Sequence, residues 1–143
     1  FQFHFESLRI PSVLGRIGLA WMLAAILYCH TGKKTQWGVA AGILIGYFLL
    51  LKLVVAPDAP AGADSLSKEG NIAFYIDRLL LPDNIYKPGV YDPEGILSTI
   101  PAVVTAMLGM FTGRYVKESP ATGERKTLNM LAAAIVMAIV AVV

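Results

Sequence analysis

The chain has 143 residues, of which 56% are apolar and only 15% charged, with a mean hydropathy of +0.62. Soluble domains carry about 25% charged residues, so this composition argues against a water-soluble enzyme and excludes a disordered chain. The twelve basic and ten acidic residues nearly cancel to a net charge of +2, which leaves their placement as the informative quantity.

The first apolar run, residues 13–30, is interrupted by Arg16, one turn from its start. A helix needs roughly 20 residues to cross the hydrocarbon core, and an arginine this close to the end can reach back to the interface, pair with a carboxylate or face a hydrated cavity. Arg9 lies seven residues earlier, so a helix covering both would bring them near one face, about two turns apart. The second run, 37–56, reads WGVAAGILIGYFLLLKLVVA and is the clearest span, with Lys52 near its far end. A third run, 95–116, contains Pro101, which removes one backbone hydrogen bond and kinks the early turns. The fourth, 128–143, is short for a span and is expected to continue further. The expected fold is therefore all-α: about four transmembrane helices within one integral membrane domain, 1–143, read as an internal fragment of a longer protein. A secretory signal peptide fits the first run poorly, because it has no basic start and is followed by further spans.

Loop charges set an orientation. Lys33, Lys34, Arg114, Lys117, Arg125 and Lys126 would share one side with Glu118 and Glu124, while the connection 57–94 holds seven acids against Lys68, Arg78 and Lys87. The positive-inside rule makes the first side cytoplasmic and the 57–94 loop extracytoplasmic. Residues 57–70, rich in Pro, Gly, Ser and Asp, are expected to be mobile. Beyond them Ile72, Tyr75, Ile76, Leu79 and Leu80 recur at helical spacing, with Asn71 at the N-cap and Pro82 as terminator. This predicts a short amphipathic helix at the membrane-facing rim, with Asp77 and Arg78 turned toward polar surroundings.

At the mouth of the third run stand Tyr91-Asp92-Pro93-Glu94-Gly95. Asp92 as helix cap, Pro93 in the first turn and Glu94 beside the positive helix end make a complete structural explanation. The same carboxylates at a bilayer edge could instead hold a sugar hydroxyl, an amine or a proton. Arg16 falls on the same side and could border a cavity with them. Gly38, Gly42 and Gly46, and Gly109 with Gly113, form G-x-x-x-G patterns that let helix backbones approach closely. His4 and His30 are read as interfacial residues and Cys29 as a small packed hydrophobe; no metal site is expected. No phosphate-binding loop, dinucleotide fingerprint, G-x-S-x-G or H-E-x-x-H occurs, and the few basic residues do not point to nucleic acid. On these grounds an enzyme, a sugar or small-solute permease and a noncatalytic membrane scaffold all remain open.

Three stretches resemble the multispan acyltransferases typified by heparan-α-glucosaminide N-acetyltransferase and its bacterial relatives. Arg9-Ile10-Pro11-Ser12-Val13-Leu14-Gly15-Arg16-Ile17 is similar to the family's R-[ILV]-P-G-V-L-Q-R-[IL]. Tyr75-Ile76-Asp77-Arg78-Leu79-Leu80-Leu81 is similar to Y-I-D-R-x-[LV]-L. Tyr91 to Ile100 is similar to Y-D-P-E-G-[IL]-L-[GS]-T-[IL] and is followed by the L-G-x-x-x-G of Leu108 to Gly113, so the match extends across residues 9–113. Ser12 and Gly15 depart from the family's glycine and glutamine.

The resemblance implies an integral membrane enzyme, in the bacterial inner (plasma) membrane, that moves an acetyl group from cytoplasmic acetyl-CoA to an amino sugar or glycan on the other side. Its implied partners are the bilayer, the remaining helices of the parent protein, the acceptor and, in an oligomer, further copies. Arg9, Arg16, Asn71, Tyr75, Asp77, Arg78, Asp92 and Glu94 would form the polar shell of the acceptor cavity, with Glu94 a weaker candidate for proton transfer. The family's catalytic histidine lies upstream of the first signature and matches no residue here, so the chain alone is expected to be inactive.

The topology is testable in a background with Cys29 replaced by serine. Single cysteines at Ser65 and Ser119 should react with an impermeant maleimide from opposite faces of sealed membranes; labelling from one face would overturn the arrangement.

Overall fold

The computed structural model describes residues 12–81 and 94–142. They form five α-helices: α1 (Val13–His30), α2 (Lys33–Leu53), α3 (Ile72–Leu80), α4 (Ile96–Glu118) and α5 (Gly123–Val142). Extended pairing among the described residues is limited to one antiparallel bridge between Val55 and Asn71. Three helices, α1, α2 and α4, are long and apolar enough to cross a membrane, and the chain is a polytopic membrane protein. The fourth expected span is helical as α5 but is not among those three. The chain divides into two compact units, residues 1–107 and 108–143.

In the first unit, α1 opens on Ser12, whose hydroxyl accepts the Gly15 N–H at 3.1 Å. The departure from the family's glycine thus supplies a helix cap. At the other end, the side-chain amide of Gln36 donates to the carbonyls of Tyr28 at 2.9 Å and Thr31 at 2.8 Å. Gln36 is only 1% exposed. One residue of α2 therefore satisfies carbonyls that the end of α1 leaves open, and it locks the tight connection between the two helices. The helix α2 starts four residues before the expected 37 and ends before 56. Its polar first turn, Lys33 to Gln36, carries the hydrogen-bond ladder back beyond the apolar run. Near its end the Lys52 ammonium lies 5.4 Å from the Phe48 ring centroid, a cation–π contact suited to an interface.

The Pro/Gly/Ser/Asp-rich segment, expected to be mobile, is built of hydrogen-bonded turns. The Ala56 N–H donates to the Gly70 carbonyl at 2.8 Å. Ser67 donates its hydroxyl to Asp64 O at 2.7 Å and accepts the Gly70 N–H at 2.9 Å. Short polar side chains close turns on the neighbouring backbone in this way. Gly70 is required there, because a Cβ would collide with the Asp64 carbonyl. Ser65 is buried, and its hydroxyl donates to Lys52 O at 3.2 Å. Ala61, which is exposed, is therefore the better reporter position for this loop.

Helix α3 has the expected cap: Asn71 Oδ1 accepts the Ala73 N–H at 2.9 Å. Its buried residues, however, are Ile72, Ala73 and Asp77, whereas Leu79 and Leu80 are 65% and 57% exposed. The expectation that Asp77 faces polar surroundings is corrected, since its side chain is fully buried. Pro82, the expected terminator, lies outside the described residues.

The core of this unit is built on Ala20 and Ala24 of α1, Ala40 of α2, Ile72 and Ala73 of α3, and Val103, Val104 and Met107 of α4. Within this unit the close contacts are made by alanines. A Cβ at Gly38, Gly42 or Gly46 would meet open space, as would one at Gly109 or Gly113 in the second unit. The second unit closes its helical turn by side chains: the Lys126 ammonium donates to Val116 O at 2.7 Å, and the Asn129 amide to the Tyr115 hydroxyl at 2.7 Å. Here too the helix α5 begins five residues before the apolar run, through the polar turn Gly123 to Thr127.

Replacing Gln36 by leucine should lower the thermal midpoint of the detergent-solubilised protein by an amount equivalent to about 1–3 kcal/mol, because two part-buried carbonyls lose their donor. An unchanged midpoint would show that the amide is dispensable.

Candidate functional site

The first turn of α4 is held from two sides. The buried Asp77 carboxylate, on α3, accepts the Ile96 N–H through Oδ1 at 2.8 Å. From α1, the Arg16 guanidinium donates to the Ser98 carbonyl at 3.1 Å. An anion thus sits on a helix N–H and a cation on a helix carbonyl, each matched to the polarity of its partner. Gly95 makes the first contact possible, since a Cβ there would fall inside the Asp77 carboxylate. The hydroxyls of Ser98 and Thr99 both donate back to the Gly95 carbonyl, at 3.0 and 2.9 Å. Pro101 follows within the helix and has no N–H to give Leu97, so these bonds supplement a turn whose own ladder is incomplete.

Arg16 and Glu94 line one open-sided cavity of about 670 Å³, together with Trp21 of α1, Leu44 of α2 and Thr105 of α4 among others. That volume falls in the range of small-molecule sites. Arg16 is half-buried and reaches α4 at the cavity wall. Tyr47 of α2 lies within electrostatic reach of both Asp77 and Arg16.

The remaining expected residues are distributed differently. Asn71 is engaged in capping α3, and Tyr75 is half-buried on the same helix; neither lines the cavity. Arg78 is ion-paired with Asp58, its guanidinium 2.8 Å from Oδ2 and 2.9 Å from Oδ1. It therefore pins α3 to the 57–70 loop, pairing with an acid the sequence had not singled out. Arg9 and Asp92 lie outside the described residues. Helix α4 begins at Ile96, and Asp77 takes that residue's N–H. His30 is exposed, and its Nδ1 donates to Ile26 O at 2.9 Å; Cys29 is exposed rather than packed.

Sequence reasoning missed Gly95 as a clearance for Asp77, Ser98 as the acceptor for Arg16, and Trp21, Tyr47 and Thr105. Only Gly95 carried a local signal, a glycine at a helix start. What the structure adds is convergence. The three stretches that carry the family resemblance, far apart in sequence, meet here through Arg16, Asp77 and Gly95 with Ile96.

Asp77→Ala should destabilise the protein by about 1.5–3 kcal/mol, the value of a hydrogen bond to a charged group. Asp77→Asn, which keeps an oxygen for the Ile96 N–H, should cost less, and Gly95→Ala should cost about 1–3 kcal/mol through steric overlap. Equal midpoints for all three variants and wild type in detergent would refute the clamp.

No family model matches the chain. It is 32% identical to heparan-alpha-glucosaminide N-acetyltransferase of Homo sapiens over 151 aligned residues, and 30% identical to the protein of the same name from Mus musculus. The alignment covers 76% of this chain but 23% of each relative, so the chain spans less than a quarter of the length of these proteins. Over that stretch it is homologous to the heparan-alpha-glucosaminide N-acetyltransferases.

Proposed function

We propose that this chain is part of an integral membrane acyltransferase that carries an acetyl group from cytoplasmic acetyl-CoA to an amino sugar or glycan on the opposite side. The observation that carries the reading is the meeting of three family-like stretches at the first turn of α4, two of which also line the cavity, in a chain homologous to a named N-acetyltransferase. In the transfer, the acceptor amine attacks the thioester carbonyl. A C–N bond forms, the C–S bond breaks, and the amine proton ends on the departing CoA sulfur.

The chain's own share in this scheme is the acceptor side. Glu94 holds the amine or a hydroxyl of the acceptor, and Arg16, fixed on Ser98 O, keeps a positive charge at the wall. Asp77 positions the α4 turn that follows Glu94 and that Arg16 grips. By the family resemblance, the histidine that carries the chemistry lies upstream of Arg9. With α1, α2 and α4 as spans, the Lys33/Lys34 turn and the loop around Ser119 share the cytoplasmic side, and the 57–94 connection faces outward. Helix α5 serves as a fourth span, in a bacterial plasma membrane.

Membranes bearing the full-length protein, incubated with labelled acetyl-CoA and a glucosamine-terminated acceptor, should transfer label to the acceptor. Sugar uptake with no transfer would replace the transferase by a permease. Glu94→Gln should lower transfer roughly 10- to 100-fold, the loss of one charge-assisted hydrogen bond, with folded protein retained. Unchanged transfer would return Glu94 to a helix-end role.

A further inference from the structure

We propose that the cavity takes an amphiphilic acceptor: an amine- or hydroxyl-bearing head at Arg16 and Glu94, and a hydrocarbon tail running along the spans. This deepens the acyltransferase reading and rests on it.

The shape of the cavity leads to this. On α1 its lining residues are Val13, Arg16, Ile17, Ala20 and Trp21, which is the i, i+3, i+4, i+7, i+8 pattern of one helix face. On α4 they are Pro101, Ala102, Thr105 and Ala106, again one face. The cavity is thus a seam where two helix faces do not close on each other. It stays open because the α4 side carries alanines and a threonine. The charged groups are confined to the end where Arg16 meets the first turn of α4. Beyond it the wall is Ile17, Ala20 and Trp21 opposite Ala102, Thr105 and Ala106, with Leu44 of α2 beside them, along about 8 Å of α4 from Pro101 to Ala106 at 1.5 Å per residue.

A free amino sugar is polar all round and would use only the charged end. Placed deeper, its hydroxyls would meet carbon and lose their hydrogen bonds. A hydrocarbon tail asks for no partner there and fills the seam. Trp21, 63% exposed, lines the seam at the end away from the charges and offers an aromatic face to such a tail. The bilayer and the remaining helices of the parent protein are the competing occupants, and the experiment separates them from the acceptor.

The full-length protein in nanodiscs is assayed with glucosamine, octyl glucosaminide and dodecyl glucosaminide as acceptors. Ala106→Leu, which builds into the seam, should raise KM for the dodecyl compound roughly tenfold more than for glucosamine. Comparing variant with wild type cancels the partition of the chain into the bilayer, which both share. In parallel, a dodecyl glucosaminide brominated on its tail should quench tryptophan fluorescence saturably, and Trp21→Phe should remove that saturable component. If Ala106→Leu changes KM equally for all three acceptors, the amphiphile is overturned and the transferase stands. If saturable quenching through Trp21 occurs with no acetyl transfer to any acceptor, the amphiphile site stands and the transferase falls. If a brominated phospholipid quenches as strongly, or quenching ignores Trp21→Phe, the seam is an ordinary lipid-facing surface and the proposal fails.

Discussion

A helix that begins near a bilayer must find acceptors for its first N–H groups where water is scarce. In α4 this is met by a carboxylate from another helix. Taking Asp77 fully out of solvent costs several kcal/mol, which the Ile96 N–H and the positive end of α4 offset in part. The arrangement works only because Gly95 has no side chain. Arg16 grips the same turn by its carbonyl side, ahead of the ladder hydrogen bond that Pro101 deletes. The position of Glu94, and hence the polar end of the cavity, follows from this two-sided hold. Loosening either partner would let the turn relax along its own incomplete ladder and shift the cavity wall with it.

The spans were legible in the sequence because hydrocarbon imposes a length and a composition at once. Their ends were less so. Lys33 to Gln36 and Gly123 to Thr127 form helical turns through backbone bonds that are indifferent to hydropathy. The existence of α3 could be read from Asn71 and its apolar periodicity, but its buried face could not. The apolar stripe is split along its length: Ile72 is buried and Leu79 and Leu80 are exposed, while Asp77 is interior. The glycine ridges name no partner by themselves. Small residues permit close approach without saying which neighbour uses it, and Ala20, Ala24 and Ala40 are the ones packed.

Of the candidate site, Arg16 was legible because a cation inside an apolar run demands an explanation. Glu94 was legible from its place beside a helix start. The bond from Asp77 to Ile96 was not, since nineteen residues and a loop separate them and neither has a local pattern that names the other. Arg78 illustrates the reverse: its charge drew attention, yet its partner Asp58 sits in a segment whose composition promised no structure. The family-like stretches explain one another once folded. Each supplies one element of a single junction, so what looks like three independent signatures is one three-dimensional contact written in three places.

The Gln36 amide bears on how the chain enters the membrane. Its two bonds span only eight and five residues, so closing them costs little chain entropy. The α1–α2 pair therefore carries its own fastening and needs no later helix to set its turn. It is suited to leave the insertion machinery as a ready-made hairpin, onto which the remaining segments assemble.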